Sequence, residues 1–84
     1  MKKFDLNKLR QVDFTPLIKT RITKLGDKRR TLCPFHDEKT PSFFIYPENS
    51  YYCFGCGVSG NAIDFVMKAL GHSFKDACVI LEDL

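Results

Sequence analysis

The sequence predicts a small α+β fold in which two hairpins form an antiparallel sheet with short helices beside it. Aromatic and β-branched runs separated by turn residues occupy the middle of the chain, and the apolar period changes from two to about 3.6 after residue 60. Two Cys/His motifs lie within a chain of only 84 residues. Because a chain this short buries a limited core, we expect a further source of stability to supplement it.

The composition indicates a folded protein outside the membrane. Hydrophobic residues make up 44% of the chain, including eight Phe and three Tyr, and 27% of the residues are charged. No apolar run approaches the roughly 18 to 20 residues of a membrane span, and the basic amino terminus lacks the apolar stretch of a secretory signal. We therefore expect a cytoplasmic protein with no membrane partner, in which cysteines hold a metal or stay free.

Positive charge is concentrated at the amino-terminal end. Residues 1–30 carry +7 and residues 31–84 carry −4, within a net charge of +3. We expect residues 1–12 to form a basic arm that precedes a domain over residues 13–84. Such an asymmetry fits a polyanionic partner, although a basic segment is more often simply a solvated face.

The first half of the chain predicts short elements. Residues 1–12 favour a short or frayed helix. Thr15 is a good N-cap and Pro16 suits the first helical position, so a short helix is predicted over about 16–20. "RITKLGDKRRTLC" predicts two strands around the turn pair Gly26-Asp27. "SFFIY" and "SYYCF" predict a second hairpin around residues 47–49.

Two helices are predicted after the glycines of "CFGCGVSG". The first begins after the N-cap Asn61 and stops at Gly71, with an inner face of Ala62, Phe65, Val66, Ala69 and Leu70. The second begins at Ser73, with Asp76 in a capping position and an inner face of Phe74, Ala77, Cys78 and Leu81. Cys78 is thus predicted to pack in the core, and His72 to be a loop residue without a metal role.

Two short motifs predict a metal site. Sixteen residues separate Cys33-x-x-His36 from Cys53-x-x-Cys56. Two ligands three positions apart around a tight turn can bind one ion, and two such turns can complete a tetrahedron. Thiolates and imidazole are ligands that Zn(II) favours, and four protein ligands leave no open position for a substrate. The spacing therefore predicts one structural zinc ion that contributes directly to folding.

Other roles for these cysteines stay open at this point. Cys53 and Cys56 could form a redox pair or lie free in the core, and the ligands could hold iron. A thioredoxin-like motif requires a βαβ context that the chain lacks. Measurement of bound zinc distinguishes these hypotheses, because less than about one zinc ion per folded chain would favour the redox role.

Two strings identify a family resemblance. "LCPFHDEKTPSF" and "CFGCGVSGNAIDFVM", with the spacing between them, resemble the amino-terminal zinc-binding domain of bacterial DnaG-type DNA primases, the CHC2 zinc finger, which also occurs in some phage primases. The resemblance extends over residues 12–84. It implies a zinc ribbon, an antiparallel sheet with flanking helices, in a bacterial or phage-infected cell. It also implies that Cys33, His36, Cys53 and Cys56 are the metal ligands.

The resemblance implies a role in primer synthesis. Domains of this kind bind single-stranded DNA template, help select the initiation site and cooperate with a separate primase catalytic domain, with a replicative helicase as a further partner. Basic side chains neutralise phosphates, hydroxyls bond phosphates or base edges, and aromatic rings stack on bases. On these grounds we expect nucleic-acid contacts from Lys28, Arg29, Arg30, Lys39, Thr40, Ser42, Phe44 and Tyr46. Phe43, which alternates with Ile45, is expected in the core.

The sequence carries no catalytic constellation. It lacks the acidic cluster of a polymerase site, a Gly-rich phosphate loop and a Ser/His/Asp arrangement. We therefore expect a noncatalytic module, excised or naturally short, that works with a catalytic partner. The alternative is a phage or mobile-element protein-interaction module that docks on replication proteins.

Overall fold

The computed structural model describes residues 3–37 and 39–84, in which five strands form one antiparallel sheet in the order β1-β2-β3-β4-β5. Met1 and Lys2, part of the expected basic arm, lie outside the described residues. The elements are α1 (Leu6–Leu9), a 3₁₀ helix (Thr15–Leu17), β1 (Thr23–Leu25), β2 (Lys28–Thr31), β3 (Phe43–Ile45), β4 (Tyr51–Cys53), β5 (Ser59–Gly60), α2 (Ala62–Leu70) and α3 (Phe74–Glu82). The predicted α+β class is confirmed. No helix within the described ranges has the length and apolarity needed to cross a bilayer.

Both predicted hairpins form, and the structure joins them into a single sheet. β1 pairs with β2 and β3 pairs with β4, each antiparallel. The two hairpins are joined by β2 and β3, in a register that places Thr31 opposite Phe43. The sequence prediction missed β5, which extends the sheet beyond β4. A strand of two residues is too short to show an alternation.

Alternation along the strands gives the sheet a buried face and an outer face. The buried face carries Phe43 and Ile45 from β3 and Tyr51 and Cys53 from β4. The intervening residues Phe44 and Tyr52 lie directly opposite each other on the outer face. The expected core position of Phe43 is confirmed, because its side chain is fully buried.

α2 and α3 begin where the sequence predicts. The side chain of Asn61 accepts a hydrogen bond from the Asp64 N–H, and the Asp64 carboxylate accepts one from the Asn61 N–H, both at 3.0 Å. α2 ends at Gly71, and the Ser73 hydroxyl accepts from the Asp76 N–H at 3.2 Å at the start of α3. The cap of α2 is reciprocal and that of α3 is a single bond, and both satisfy backbone donors that a helix start otherwise leaves unpaired.

The predicted inner faces of these helices need correction at three positions. Phe74 and Leu70 are exposed, whereas Ile63, which the periodicity left out, is buried. Phe74 is the first residue of α3 and Leu70 the last of α2. Both residues therefore lie next to the connection between the helices. The buried residues of α2 and α3 lie farther from that connection.

Aromatic rings form the centre of the core. Phe14 stacks on Phe65 with ring centroids 4.4 Å apart, and Phe43 stacks on Tyr51 at 5.1 Å. Phe35 packs against the same group, at 6.0 Å from Tyr51. Aromatic pairs of this kind contribute roughly 0.5–1.5 kcal/mol beyond their buried area. Residues from the amino-terminal segment, the sheet and α2 therefore share one core.

The amino-terminal segment differs from the prediction in its second helix. The 3₁₀ helix starts after Phe14, is shorter than the predicted span of 16–20, and receives no side-chain cap from Thr15. Instead the Asp13 carboxylate accepts hydrogen bonds from the Thr15 N–H at 3.0 Å and the Thr15 hydroxyl at 2.7 Å. The helix therefore has no side-chain cap from its N-cap residue Phe14, and the Asp13 carboxylate satisfies the Thr15 N–H instead.

The expected division of the chain at residue 12 stays a prediction. Within the described residues α1 follows the N-cap Asp5, and Leu9 is buried in the same core as the sheet. The Ala62 N–H donates to the Arg10 carbonyl at 3.2 Å. This segment therefore packs on the domain.

A polar network ties the same segment to the sheet. Arg29 on β2 forms an ion pair with Asp13 at 3.0 Å and also donates to the side-chain carbonyl of Asn49. The Asn49 amide donates to the Gln11 carbonyl at 2.7 Å. Partial burial opposes ionisation of Asp13, but hydrogen bonds from Thr15 and Arg29 hold its pKa below the ordinary value of 3.8. The Asp13–Arg29–Asn49 network therefore holds three parts of the chain together.

We expect Arg29→Ala to lower the unfolding free energy by about 1 kcal/mol at pH 7, because the substitution removes a half-buried ion pair and leaves the Asn49 carbonyl without its donor. Lys24→Ala is the matched control, since Lys24 lies opposite Arg29 in the sheet but is exposed. Denaturant titration followed by circular dichroism measures both. Equal stability of the two variants would contradict the assigned network.

Candidate metal centre and outer face of the sheet

The structure brings the two predicted motifs together. Cys33 and His36 lie in the connection that follows β2, Cys53 is the last residue of β4, and Cys56 lies in the turn after it. One ligand atom from each of these four side chains lies within 4.8 Å of the others. Because β3 and β4 pair side by side, the connection entering one and the turn leaving the other meet at the same end of the sheet.

The spacing of the donors fits zinc. Four tetrahedral ligands with Zn–S bonds of about 2.3 Å place two sulfurs roughly 3.8 Å apart. The Sγ atoms of Cys33 and Cys56 are 3.9 Å apart. Three thiols and one imidazole form a closed donor set with no position left for a substrate. The cluster is consistent with one structural zinc ion.

Two glycines shape the turn that carries Cys56. Gly57 has a φ of 79°, a backbone conformation that side chains rarely tolerate, and its N–H donates to the Cys53 carbonyl at 2.7 Å. Gly55 is constrained by space instead. A Cβ there would lie 2.8 Å from Ser42 Oγ and 3.0 Å from His36 Nε2. A side chain at position 55 would clash with Ser42 and His36, so the turn can lie this close to the other ligands only because residue 55 is glycine.

The local environment separates the thiols in acidity. Burial raises the pKa of Cys33 to about 12, despite a hydrogen bond from the Phe35 N–H, and the neighbouring sulfurs raise it further. Burial also opposes ionisation of Cys53, but hydrogen bonds from the Ser42 hydroxyl and from backbone N–H groups of the turn lower its pKa to about 7. Sulfur anions this close repel one another, and a bound divalent cation would offset that repulsion.

An aromatic platform lies on the outer face of the sheet beside this cluster. We use that name for Phe44, Tyr52 and Phe54, whose rings contact each other edge to face. Ring centroids are 5.2 Å apart between Phe44 and Phe54 and 4.8 Å apart between Tyr52 and Phe54. Phe54 is 65% exposed. Sequence reasoning missed Tyr52 and Phe54, although alternation in "SYYCF" places both on the face opposite Tyr51 and Cys53.

The three basic residues of β2 divide between the two faces. Arg30 lies opposite Phe44 and so belongs to the outer face. Lys28, two positions before it, is exposed, with Nζ 5.8 Å from the centre of the half-buried Tyr46 ring. Arg29 points to the other side, into the Asp13–Arg29–Asn49 network. The structure therefore gathers Lys28, Arg30 and Phe44 on one face and separates Arg29 from them.

The residues before β3 that were expected to contact nucleic acid also differ in their surroundings. Lys39 and Thr40 are exposed in the loop between His36 and β3. Ser42 is half-buried, and its hydroxyl lies 3.4 Å from Cys53 Sγ. Ser42 therefore faces the metal cluster, whereas Lys39 and Thr40 face solvent.

The remaining predicted cysteine and histidine lie outside the cluster. Cys78 is fully buried in α3, as expected, and burial raises the pKa of its thiol. His72 is exposed in the connection between α2 and α3. Among the described residues the metal cluster comprises only the four predicted side chains.

Comparison with known proteins identifies the same architecture. The family model described as CHC2 zinc finger matches residues 2–84. A DNA primase of Myxococcus xanthus is 46% identical over 72 residues, covering 82% of this chain and 12% of the relative. A DNA primase of Chlamydia trachomatis is 49% identical over 61 residues, covering 71% of this chain and 10% of the relative.

A solved structure shares the fold along almost the whole chain. The crystal structure of the Aquifex aeolicus primase, comprising zinc-binding and RNA polymerase domains, matches with a TM-score of 0.78 and 37% identity, covering 98% of this chain and 21% of that one. The chain spans about a tenth of the length of the curated relatives it matches.

We expect Cys33→Ser to unfold the domain, because it removes a metal bond from a chain with a small core. Cys78→Ser is the control: it places a hydroxyl among apolar groups and should lower stability by about 1–3 kcal/mol while zinc is retained. Circular dichroism and zinc content per chain measure the two effects. Equal tolerance of both substitutions would argue against Cys33 as a ligand.

Zinc binding should release protons at pH 7. Burial raises the pKa of the Cys33 thiol in the fold, and thiols of an unfolded metal-free chain have an ordinary pKa of about 8.5, so in either state thiols hold protons at pH 7. The ligand cysteines must lose these protons to bind as thiolates, so apparent affinity should fall as the pH falls. Calorimetric titration in buffers of different ionisation enthalpy measures the number of protons released, which we expect to exceed one per zinc ion. A binding enthalpy independent of the buffer would exclude this coupling.

Proposed function

Because this chain belongs to the CHC2 zinc finger family, the family of the zinc-binding domain of DNA primases, we propose that it is the noncatalytic, template-binding module of a DNA primase. In this proposal Cys33, His36, Cys53 and Cys56 hold one zinc ion, and the outer face of the sheet binds single-stranded DNA. The observation that carries the proposal is the aromatic platform with Lys28 and Arg30 on the same face.

The metal centre supports this role by fixing the platform. Phe54 lies between Cys53 and Cys56, so both neighbouring ligands restrain the backbone that carries its ring. The Phe54 N–H also donates to the Ser42 carbonyl at 2.9 Å. Zinc bound there supplies structural cross-linking and no reaction chemistry. An exposed ring held on both sides is preorganised for stacking, because little side-chain and backbone freedom is lost on binding.

The platform suits bases of a single strand. Stacking of a base on an aromatic side chain contributes roughly 1–3 kcal/mol and tolerates any base. In a duplex the faces of the bases are stacked on one another, so only an unpaired strand offers them to Phe54. Arg30 lies opposite Phe44, and Lys28 is exposed two positions before it on the same face, so both can neutralise the phosphates of the same strand. Aromatic and basic groups thus match the two parts of a nucleotide.

Selection of the initiation site requires contacts that distinguish bases. Stacking does not distinguish them, whereas hydrogen bonds to base edges do. Lys39 and Thr40 are exposed on the loop that leads into β3, the strand of Phe44. We assign sequence selection to this loop.

The proposal includes a catalytic partner, in line with the noncatalytic module expected from the sequence. The Aquifex aeolicus protein contains zinc-binding and RNA polymerase domains, and this chain covers 21% of it. We extend the proposal to a primase catalytic domain that synthesises the RNA primer and to a replicative helicase as a second partner.

A second candidate function is docking on a replication protein without DNA. Four large apolar side chains are exposed on or after the helices: Leu70, Phe74, Val79 and Leu84. This candidate predicts a protein partner that is retained after nuclease treatment and little intrinsic DNA affinity. Pulldown before and after nuclease separates the two functions.

We expect Phe54→Ala to weaken binding of a short single-stranded oligonucleotide about tenfold or more, because it removes the most exposed ring of the platform. Phe74→Ala is the matched control, an exposed Phe on α3 whose loss should leave DNA affinity unchanged. Fluorescence anisotropy titrations measure both. Equal effects of the two substitutions would contradict the proposed face.

Salt dependence provides a separate test of the charges. Lys28→Ala should make the dependence of affinity on salt shallower by about 0.7 in the log–log slope, the value for one phosphate contact on a single strand. Arg29→Ala should leave this slope unchanged, because Arg29 is engaged in the Asp13–Arg29–Asn49 network. Absence of salt-dependent binding to any single strand would overturn the proposed function.

A further inference from the structure

We propose that Ser42 is a positioning residue of the metal centre, donating a hydrogen bond to the Cys53 sulfur and so helping the protein retain zinc. The inference rests on the ligand set of the proposed function. It assigns Ser42 to the metal centre, whereas the sequence led us to expect a nucleic-acid contact. Its hydroxyl lies 3.4 Å from Cys53 Sγ, and the residue is half-buried. It is therefore placed to act on the metal ligand.

The direction of this hydrogen bond follows from the chemistry of the ligand. A cysteine that binds zinc is a thiolate and has no proton to donate. The Ser42 hydroxyl must then be the donor, and Cys53 Sγ the acceptor. A donor of this kind stabilises the negative charge of the thiolate and fixes the orientation of the side chain that carries it.

The backbone around Ser42 holds its hydroxyl in place. Its carbonyl accepts from the Phe54 N–H at 2.9 Å, which fixes Ser42 beside the residue that follows Cys53. The neighbouring pair Phe43 and Cys53 are directly opposite in the sheet. Gly55 closes over the hydroxyl from the other side, where a Cβ would lie 2.8 Å from Ser42 Oγ. The hydroxyl thus lies between the thiolate and the backbone of the ligand turn.

Cys53 differs from Cys33 in the source of its donors. Cys33 Sγ accepts from the Phe35 N–H at 3.4 Å, a backbone donor that belongs to the connection itself. Cys53 Sγ has a side-chain donor in addition to backbone groups of the turn. Only the side-chain donor can be deleted by substitution without altering the backbone. Ser42 is therefore a position at which the environment of a ligand can be changed while the four ligands stay intact.

The test compares Ser42→Ala with Thr40→Ala by competition for zinc against a chromophoric chelator. Loss of a group that hydrogen-bonds a metal ligand typically weakens metal binding 10- to 100-fold. We expect about a tenfold weaker zinc affinity for Ser42→Ala and no change for Thr40→Ala, since Thr40 is an exposed hydroxyl residue two positions away. Ser42→Thr, which keeps a hydroxyl, should restore the affinity.

Cobalt substitution adds a readout specific to the ligand sulfurs. The thiolate-to-cobalt charge-transfer band of the Co(II)-loaded protein should shift in Ser42→Ala and stay unchanged in Thr40→Ala and Ser42→Thr. At saturating zinc, Ser42→Ala should bind single-stranded DNA as tightly as the unmodified chain. If the unmodified chain does not bind single-stranded DNA, the proposed function is wrong, whereas the effect of Ser42→Ala on zinc affinity is unaffected.

Two results would overturn the positioning role. One is an unchanged zinc affinity and cobalt spectrum in Ser42→Ala. The other is a normal zinc affinity with weakened DNA binding at saturating zinc, which would make Ser42 a template contact. If Ser42→Ala does not fold with zinc, Ser42→Thr decides: an affinity and spectrum matching the unmodified chain support the role, and a tenfold loss overturns it.

Discussion

The constraint on which the rest of the structure depends is the meeting of four donor atoms within 4.8 Å at one end of the sheet. They come from the connection before β3 and the turn after β4, two segments that carry little regular structure of their own. Burial of apolar surface alone is limited in a chain of 84 residues. A metal bound by both segments cross-links them and so fixes the end of the sheet where the ligands lie.

β4 and the residue after it connect the metal, the core and the outer face. Tyr51 and Cys53 point inward, to the aromatic core and the metal cluster, whereas Tyr52 and Phe54 point outward and form the platform with Phe44. The pleat of one strand therefore couples the three. A change in the position of Cys53 necessarily moves the rings on either side of it, because they share a backbone with only two rotatable angles per residue.

The same alternation divides the positive charge. Residues 1–30 carry a net +7, but strand β2 turns Lys28 and Arg30 outward and Arg29 inward to Asp13 and Asn49. Consecutive basic residues thus serve different purposes, one holding the amino-terminal segment and two remaining beside the platform. Neighbouring basic residues in a strand therefore have different partners, since they lie on opposite faces of the sheet.

The sequence by itself determined the features that depend on near neighbours along the chain. Ligand spacing identified the metal site, the caps at Asn61 and Ser73 located α2 and α3, and alternation placed Phe43 in the core. Only the tertiary structure decided that the hairpins join, that β5 extends the sheet, that Arg29 meets Asp13 and that Ser42 faces Cys53. These features depend on register between distant segments, where a slip of one residue would exchange the two faces, and local patterns do not encode that register.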